Sequence, residues 1–368
     1  MGANFLKIVC LKRRDVFNMT TKILLYGATG YVGKLIAQLA KRDSLNIILA
    51  GRNQELVAAQ ANKLDLEFRV FSLDSSAAIE RAIADVSVVL NCAGPFCFSA
   101  KPLVDACLKV GVHYTDIAGE VPEFQALVER DAEAKAAGIM LLPGIGFGIV
   151  PTDCLAVYLK SQLPTANKLT LIYETEGGVS QGTAYTVLPN LHLSGVVRKE
   201  GQLISTQPAA KSLRIDLGAG LVTAVTNPWR ADLVAAYYST KIENIEVYTV
   251  FPAPLPLLMK TSRYLRWIFD SPLFQIGIKS LLKTLPPGPT EAERAKGKTR
   301  VLGIVEDETG KQIKARLEGP EAYDLTALTA IAAIKHILQG QIKLGFQTPA
   351  SVYGANFILE ISEVKLFS

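Results

Sequence analysis

Two stretches of this 368-residue chain hold residue types at spacings that can do chemistry. The first is Gly27-Ala28-Thr29-Gly30-Tyr31-Val32-Gly33, a G-x-x-G-x-x-G turn. Glycines so spaced permit a tight turn and bring backbone N–H groups close to a pyrophosphate, and a following helix adds the positive end of its dipole. The second is His113-Tyr114-Thr115-Asp116-Ile117-Ala118-Gly119-Glu120, a phenol and two carboxyls in one short stretch. Hydride chemistry on a double bond or carbonyl needs a proton donor beside the developing anion. Asp116, Glu120 and Tyr114 are the candidates, with His113 behind them. Structural tasks compete: Asp116 can hold loop backbone, Glu120 suits a helix start near Pro122, and His113 can pack under a sheet. Tyr185 and His192 are weaker candidates, and His336, beside Ile334 and Ile337, reads as a packed histidine.

These residues need a scaffold, and the pattern supplies one. Short β-branched runs at Ile23–Tyr26, Asn46–Ala50, Phe68–Ser72, Val86–Asn91 and Ile139–Leu142 alternate with helical segments, which predicts a parallel sheet with crossover helices. Val32, Leu35, Ile36, Leu39 and Ala40 recur at helical spacing after the glycine turn, so the turn lies between a strand and a helix, as a dinucleotide site requires. Asp74 is expected to cap the next helix, and Pro102 and Pro122 fit first helical turns. The ligand crevice of such a sheet lies outside the carboxyl ends of its strands, which places Ala93, Gly94 and Pro95 at the cofactor's nicotinamide half.

About 20 residues past the turn, where an NAD-binding fold presents an acid to the ribose hydroxyls, stand Arg52 and Asn53. A guanidinium pairs with a 2′-phosphate that an aspartate would repel, so the expected cofactor is NADP(H). Pairing of Arg52 with Glu55 is the plain alternative. The cofactor set is Gly27, Thr29, Gly30, Tyr31, Val32, Gly33, Arg52, Asn53, Asp74, Ala93, Gly94 and Pro95.

Composition narrows the function classes. A net charge of +5 without a long basic block gives no footprint for nucleic acid. Five cysteines in no paired spacing and three scattered histidines offer neither a disulfide framework nor a metal site. The cysteines read as reduced core fillers of a cytoplasmic protein, and no G-x-S-x-G elbow is present. No run reaches the ~18 apolar residues of a spanning helix.

Residues 1–18 are expected to be a disordered extension, with an NADP-binding Rossmann domain over 19–150. Polar-apolar alternations at Lys168–Thr175, Ser194–Val197, Val247–Phe251, Val301–Glu306 and Ile313–Leu317 predict an α+β substrate or oligomerisation domain over 151–320. C-terminal helices over 321–368 (Tyr323–Leu338 and Ala350–Glu360) pack back on the Rossmann domain. The fold class is therefore α/β: a doubly wound parallel sheet with a second α+β domain inserted before the C-terminal helices. Seven of the 18 prolines fall between Pro252 and Pro289, in a segment that is also apolar and basic. Its residues 255–283 suit an interfacial helix, so a peripheral membrane contact and a homodimer contact both stand as readings.

In order and spacing, GATGYVG at Gly27, AGRN at Ala50, NCAGPF at Asn91, HYTDIAGE at His113, LPGIGFGIVPTD at Leu142, GPTEAERAKGK at Gly288, Thr348-Pro349 and Gly354 resemble the saccharopine dehydrogenase-like oxidoreductases. The resemblance runs to the branch that includes trans-acting enoyl reductases, with Ile145 standing where relatives often carry Cys. It implies a Rossmann domain, an inserted second domain and NADP(H)-linked redox chemistry. Tyr185, Leu188, Leu191, Leu193 and Val196 make the middle domain apolar. The expected substrate is a hydrophobic lipid- or polyketide-type molecule whose C=C or C=O is reduced. A non-catalytic NADP(H)-binding regulator and a lipid-surface protein are the alternatives.

Overall fold

The computed structural model describes residues 21–368; the expected N-terminal extension and Cys10 lie outside the described residues. The first sheet contains β1 (Ile23–Tyr26), β2 (Ile47–Gly51), β3 (Phe68–Val70), β4 (Val88–Asn91), β5 (His113–Asp116) and β6 (Met140–Leu142). With β15 (Gly345–Phe346) they run parallel in the order β15-β6-β5-β4-β1-β2-β3. β1, β2, β4 and β6 are buried along their whole length, because helices cover both faces of a parallel sheet and leave no side for polar residues. Gly33, Ile36, Ala37 and Ala40 form the buried stripe of the Tyr31–Arg42 helix.

The second sheet contains β7 (Lys168–Thr175), β8 (Gly195–Lys199), β9 (Gln202–Thr206), β10 (Ser212–Asp216), β11 (Leu221–Thr226), β12 (Asn244–Thr249), β13 (Lys298–Glu306), β14 (Gln312–Pro320) and β16 (Lys365–Phe367). Its path is β10-β11-β12-β7-β13-β14-β16, with the β8–β9 hairpin on β12. Only β12–β7 is parallel, with Val247 opposite Leu171; the long β13–β14 pair is antiparallel, with Val301 opposite Leu317. The Val150–Gln162 helix leads from one sheet to the other and packs on β13 and β14.

Several boundaries differ from the sequence pattern. Ser75, not Asp74, caps the Ser76–Ile83 helix, accepting from the Ala78 N–H; the Asp74 carboxylate instead accepts from the Ser72 hydroxyl at 2.6 Å. Pro102 lies inside the Phe96–Val110 helix, which starts directly after Pro95. The last stretch is not helical only. The Ala322–Leu338 helix does pack against the Tyr31–Arg42 helix, but β15 then joins the first sheet and β16 the second. Gly354, at φ +83°, separates the Pro349–Tyr353 helix from the Ala355–Glu360 turn of 3₁₀-helix. Cys107 and Cys154 are core fillers, whereas Cys97 is exposed.

Candidate active site

The glycine turn sits at the carboxyl end of β1, each glycine for its own reason. Gly27 has φ +82°, and a Cβ there would lie 2.6 Å from the Ala93 nitrogen, so the turn backs directly onto the segment after β4. A Cβ at Gly33 would lie 2.3 Å from the Gly27 carbonyl oxygen, which packs the helix against the turn. Gly30 is the N-cap of the Tyr31–Arg42 helix and supplies no side chain to the first N–H groups. A helix start without a capping side chain leaves donors for an anion.

Beside the turn, a buried polar network joins β4, β5 and β6. Asp116 has no exposed surface. Its Oδ1 accepts from the Ala118 N–H (3.0 Å) and the Gly144 N–H (2.9 Å), and its Oδ2 from the Tyr114 hydroxyl (2.9 Å). The Asn91 amide donates to Tyr114 Oη (3.1 Å) and Ser99 Oγ (3.0 Å), and Asn91 Oδ1 accepts from the Ala93 N–H at 3.0 Å. Burial pushes the Asp116 carboxyl up to about 6 against the pull of those donors, and raises the Tyr114 phenol well above its ordinary value. Both carboxyl oxygens are engaged, so the network shapes the Ala93–Pro95 and Ile117–Glu120 loops from beneath. His113 is also structural: its Nδ1 accepts from the Met140 N–H (3.1 Å), and burial lowers its pKa.

Glu120 faces a different environment. It is half-buried at the N-cap of the Val121–Val128 helix, and its Oε2 accepts from the Gly119 N–H at 2.8 Å. Here the second domain closes on the first. Glu120 and Arg230 form an isolated antiparallel bridge, the Ala231 N–H donates to the Gly119 carbonyl (2.8 Å), and the Val121 N–H donates to the Trp229 carbonyl (3.2 Å). The Arg230 guanidinium lies 4.7 Å from the Tyr173 ring centre, pairs through Nε with Asp232 (2.9 Å) and donates through Nη2 to the Gly148 carbonyl. Asp232 in turn accepts from the Thr152 hydroxyl. Tyr173 accepts from the Asn227 amide (2.9 Å) and meets Phe147 edge-on. The result is a fixed cation beside Gly119 and Glu120, walled by aromatic rings.

A strap from the second domain crosses the glycine turn. A Cβ on Gly288 would lie 2.5 Å from the Tyr31 ring. The Tyr31 hydroxyl donates to the Pro289 carbonyl and accepts from Arg294 Nη1 at 3.0 Å, and Arg294 Nε pairs with Asp324 at 2.7 Å.

Comparison with known proteins agrees with this geometry. Residues 23–142 match the saccharopine dehydrogenase NADP-binding domain. A Mycobacterium tuberculosis protein named for trans-acting enoyl reductase activity is 25% identical over 83% of this chain and 86% of its own. The human saccharopine dehydrogenase-like oxidoreductase is 26% identical over 38% of each chain. Apo saccharopine dehydrogenase (L-Glu forming) of Saccharomyces cerevisiae superposes with a TM-score of 0.67 at 14% identity, covering 95% of this chain and all of that one. The chain is thus similar to saccharopine dehydrogenase-like proteins, in its first domain by sequence and along its length by fold. The fold class expected from the sequence is the one observed, and the first domain binds NADP(H).

The residues present fit that cofactor. Arg52 is exposed just past β2 and forms no ion pair among the described residues, neither with Glu55 nor with any other acid. Asn53 is committed to the backbone, accepting from the Leu56 N–H (3.0 Å) as the N-cap of the Gln54–Leu64 helix. Arg52 and Asp74 both act on the Tyr26 phenol, whose pKa burial raises; their charges therefore flank the same end of the sheet. Gly94 has open space around it and Pro95 starts the Phe96–Val110 helix, again without a side-chain cap. Arg230 and Tyr173 have no signature in the sequence, and the strap's GPTEAERAKGK motif gave no sign of its task, since their place depends on how the second domain docks. His192 and His336 lie away from this crevice: His192 pairs with Asp270 at 2.9 Å, and His336 stacks on Tyr353 and pairs with Glu360 at 2.7 Å.

Proposed function

We propose that this NADP(H)-binding oxidoreductase reduces a carbon–carbon double bond conjugated to a carbonyl, on a hydrophobic lipid- or polyketide-type substrate. The observation that carries the reading is the Arg230 guanidinium, held by Asp232, Gly148 and Tyr173 beside the Gly119-Glu120 backbone. The relative named for enoyl reductase activity, matched along most of both chains, supports the same substrate class.

NADPH, held at the Gly27–Gly33 turn and by Arg52, would supply the hydride that the β-carbon accepts. The negative charge then moves to the substrate carbonyl oxygen, where Arg230 acts as a preoriented donor; a fixed cation stabilises such charge without reorganisation. Glu120, with Oε2 tied to the Gly119 N–H, is the carboxyl that relays a proton from solvent to the α-carbon. Asp116 and Tyr114 are positioning residues in this scheme. Tyr173 and Phe147 exclude water from the wall behind Arg230.

The test is NADPH oxidation with α,β-unsaturated thioesters of increasing chain length. Glu120→Gln and Arg230→Met are each expected to lower kcat/KM at least ~100-fold, with NADPH affinity within about twofold of wild type. Arg230→Lys, which keeps the charge over Tyr173, retains part of the activity. Normal turnover in both neutral variants would overturn the assignment of these two residues, and NADPH binding without oxidation by any enoyl thioester would overturn the reaction.

A further inference from the structure

Residues 255–285 form a run of short helices: Leu255–Thr261, Ser262–Leu265, Arg266–Phe269 and Pro272–Lys283. The run is rooted in the second domain. Met259 and Leu282 are each 1% exposed, the Ser262 hydroxyl donates to the Leu191 carbonyl (3.0 Å), His192 stacks on Phe269, and the Gln181 amide donates to the Leu282 carbonyl (2.9 Å). The opposite side of the same helices is apolar as well. Leu273 is 83% exposed, Trp267 74% and Tyr264 68%, with Leu257, Ile276 and Leu281 each at 64%. On a water-facing helix those outward positions carry polar groups. Large apolar side chains exposed together in one segment mark an interaction surface.

The charges decide the partner. Lys260, Arg263, Arg266, Lys279 and Lys283 stand in the segment against one acid, Asp270, which is paired to His192 and Arg266. The segment's net charge is thus four positive, against five for the entire chain. A second copy meeting this face would set like charges against each other, whereas an anionic surface complements them. Cations beside Trp, Tyr and Leu match a lipid interface. No helix among the described residues is long and apolar enough to cross a membrane, so the segment would lie in the interface plane.

We infer that residues 255–285 dock this protein on the surface of an anionic lipid bilayer. The inference stands apart from the reductase reading, because the assay below reads no turnover.

Flotation of the full chain with phosphatidylcholine vesicles, with and without phosphatidylserine, tests it. Binding is expected only with phosphatidylserine, and is expected to weaken as salt rises. Each cation near an anionic surface strengthens binding about fivefold, so the K260E/K283E double variant is expected to bind at least ~25-fold more weakly. L273S/I276S/L281S is expected to remain unbound. NADPH affinity equal to wild type shows that each variant is folded. Absence of binding to phosphatidylserine vesicles at low salt overturns the inference, as does equal flotation of wild type and variants. So does a concentration-dependent dimer that L273S/I276S/L281S abolishes while flotation is absent.

Discussion

A carboxyl with no exposed surface can ionise, but the ease with which it does so depends on pH and on its donors. Asp116 accepts three hydrogen bonds, yet burial still raises its pKa from 3.8 to about 6. Between those values the folded protein holds a proton that the unfolded chain has released. The group's contribution to stability is therefore full below about pH 4 and is lost as pH rises through about 6. Asp116→Asn cannot ionise and lacks this decline. Relative to wild type, the variant is expected to gain up to ~3 kcal/mol between about pH 4 and about pH 7, read from urea unfolding at both. Tyr114 loses an acceptor in the variant, an offset that is constant with pH and cancels in the comparison. Asp153 is also pushed up to about 6 by burial, so the difference between the two proteins, not either curve, is the readout. A difference that does not move with pH would show that Asp116 does not titrate in this range. The type and position of Asp116 were legible in the sequence, but its direction was not. Strand alternation puts Tyr114 and Asp116 on one face of β5, but Thr115 on the other face is buried too, so alternation alone does not say which face meets the network.

At the scale of elements, local signals carried well and tertiary ones did not. β7 spans Lys168–Thr175 as its alternation implies, and the glycine turn with its helix was readable because strand, turn and helix are contiguous. β3 is shorter than its sequence run: Ser72 leaves the strand to bond Asp74. GPTEAERAKGK stood out as a motif without a visible task, because its task is to reach a helix start more than 250 residues earlier. Thr290 and Glu293 cap the Glu291–Arg294 turn reciprocally, which holds Arg294 toward both Tyr31 and Asp324. This strap covers the pyrophosphate turn from outside, so the cofactor is expected to leave at a rate set by how firmly it is latched. Arg294→Ala removes both ties. It is expected to speed NADPH release about tenfold with a smaller change in association, since changes at one interface act mainly on dissociation. Stopped-flow displacement of NADPH measures this, and an unchanged release rate would mean that the strap stands open when cofactor is bound.

The whole molecule is stitched rather than hinged on a single linker. The Val150–Gln162 helix passes from the first sheet to the second; the Ala322–Leu338 helix returns to the Tyr31–Arg42 helix; β15 extends the first sheet and β16 the second. Asp153 adds a tie between these passages, accepting from the Ala350 N–H (2.8 Å) and the Ser239 hydroxyl (2.6 Å). Neither sheet can unfold without pulling strands or packed helices from the other, so heat is expected to unfold the protein in one transition. A ligand at the crevice between the halves then stabilises all of it. NADPH at a hundredfold over its Kd is expected to add about 2.7 kcal/mol to that transition. Arg52, exposed and without an ion pair among the described residues, makes the effect selective, because an arginine–phosphate pair is charge-assisted. NADPH is expected to bind at least ~10-fold more tightly than NADH, about 1.4 kcal/mol, and at equal concentrations to give the larger rise in Tm. Arg52→Asp should erase the difference while NADH still stabilises, since the glycine turn is intact. Differential scanning fluorimetry with both cofactors reads each arm without a substrate. Two transitions of which only one moves would show that the halves unfold independently, and equal shifts with NADH and NADPH in wild type would remove Arg52 from the 2′-phosphate site.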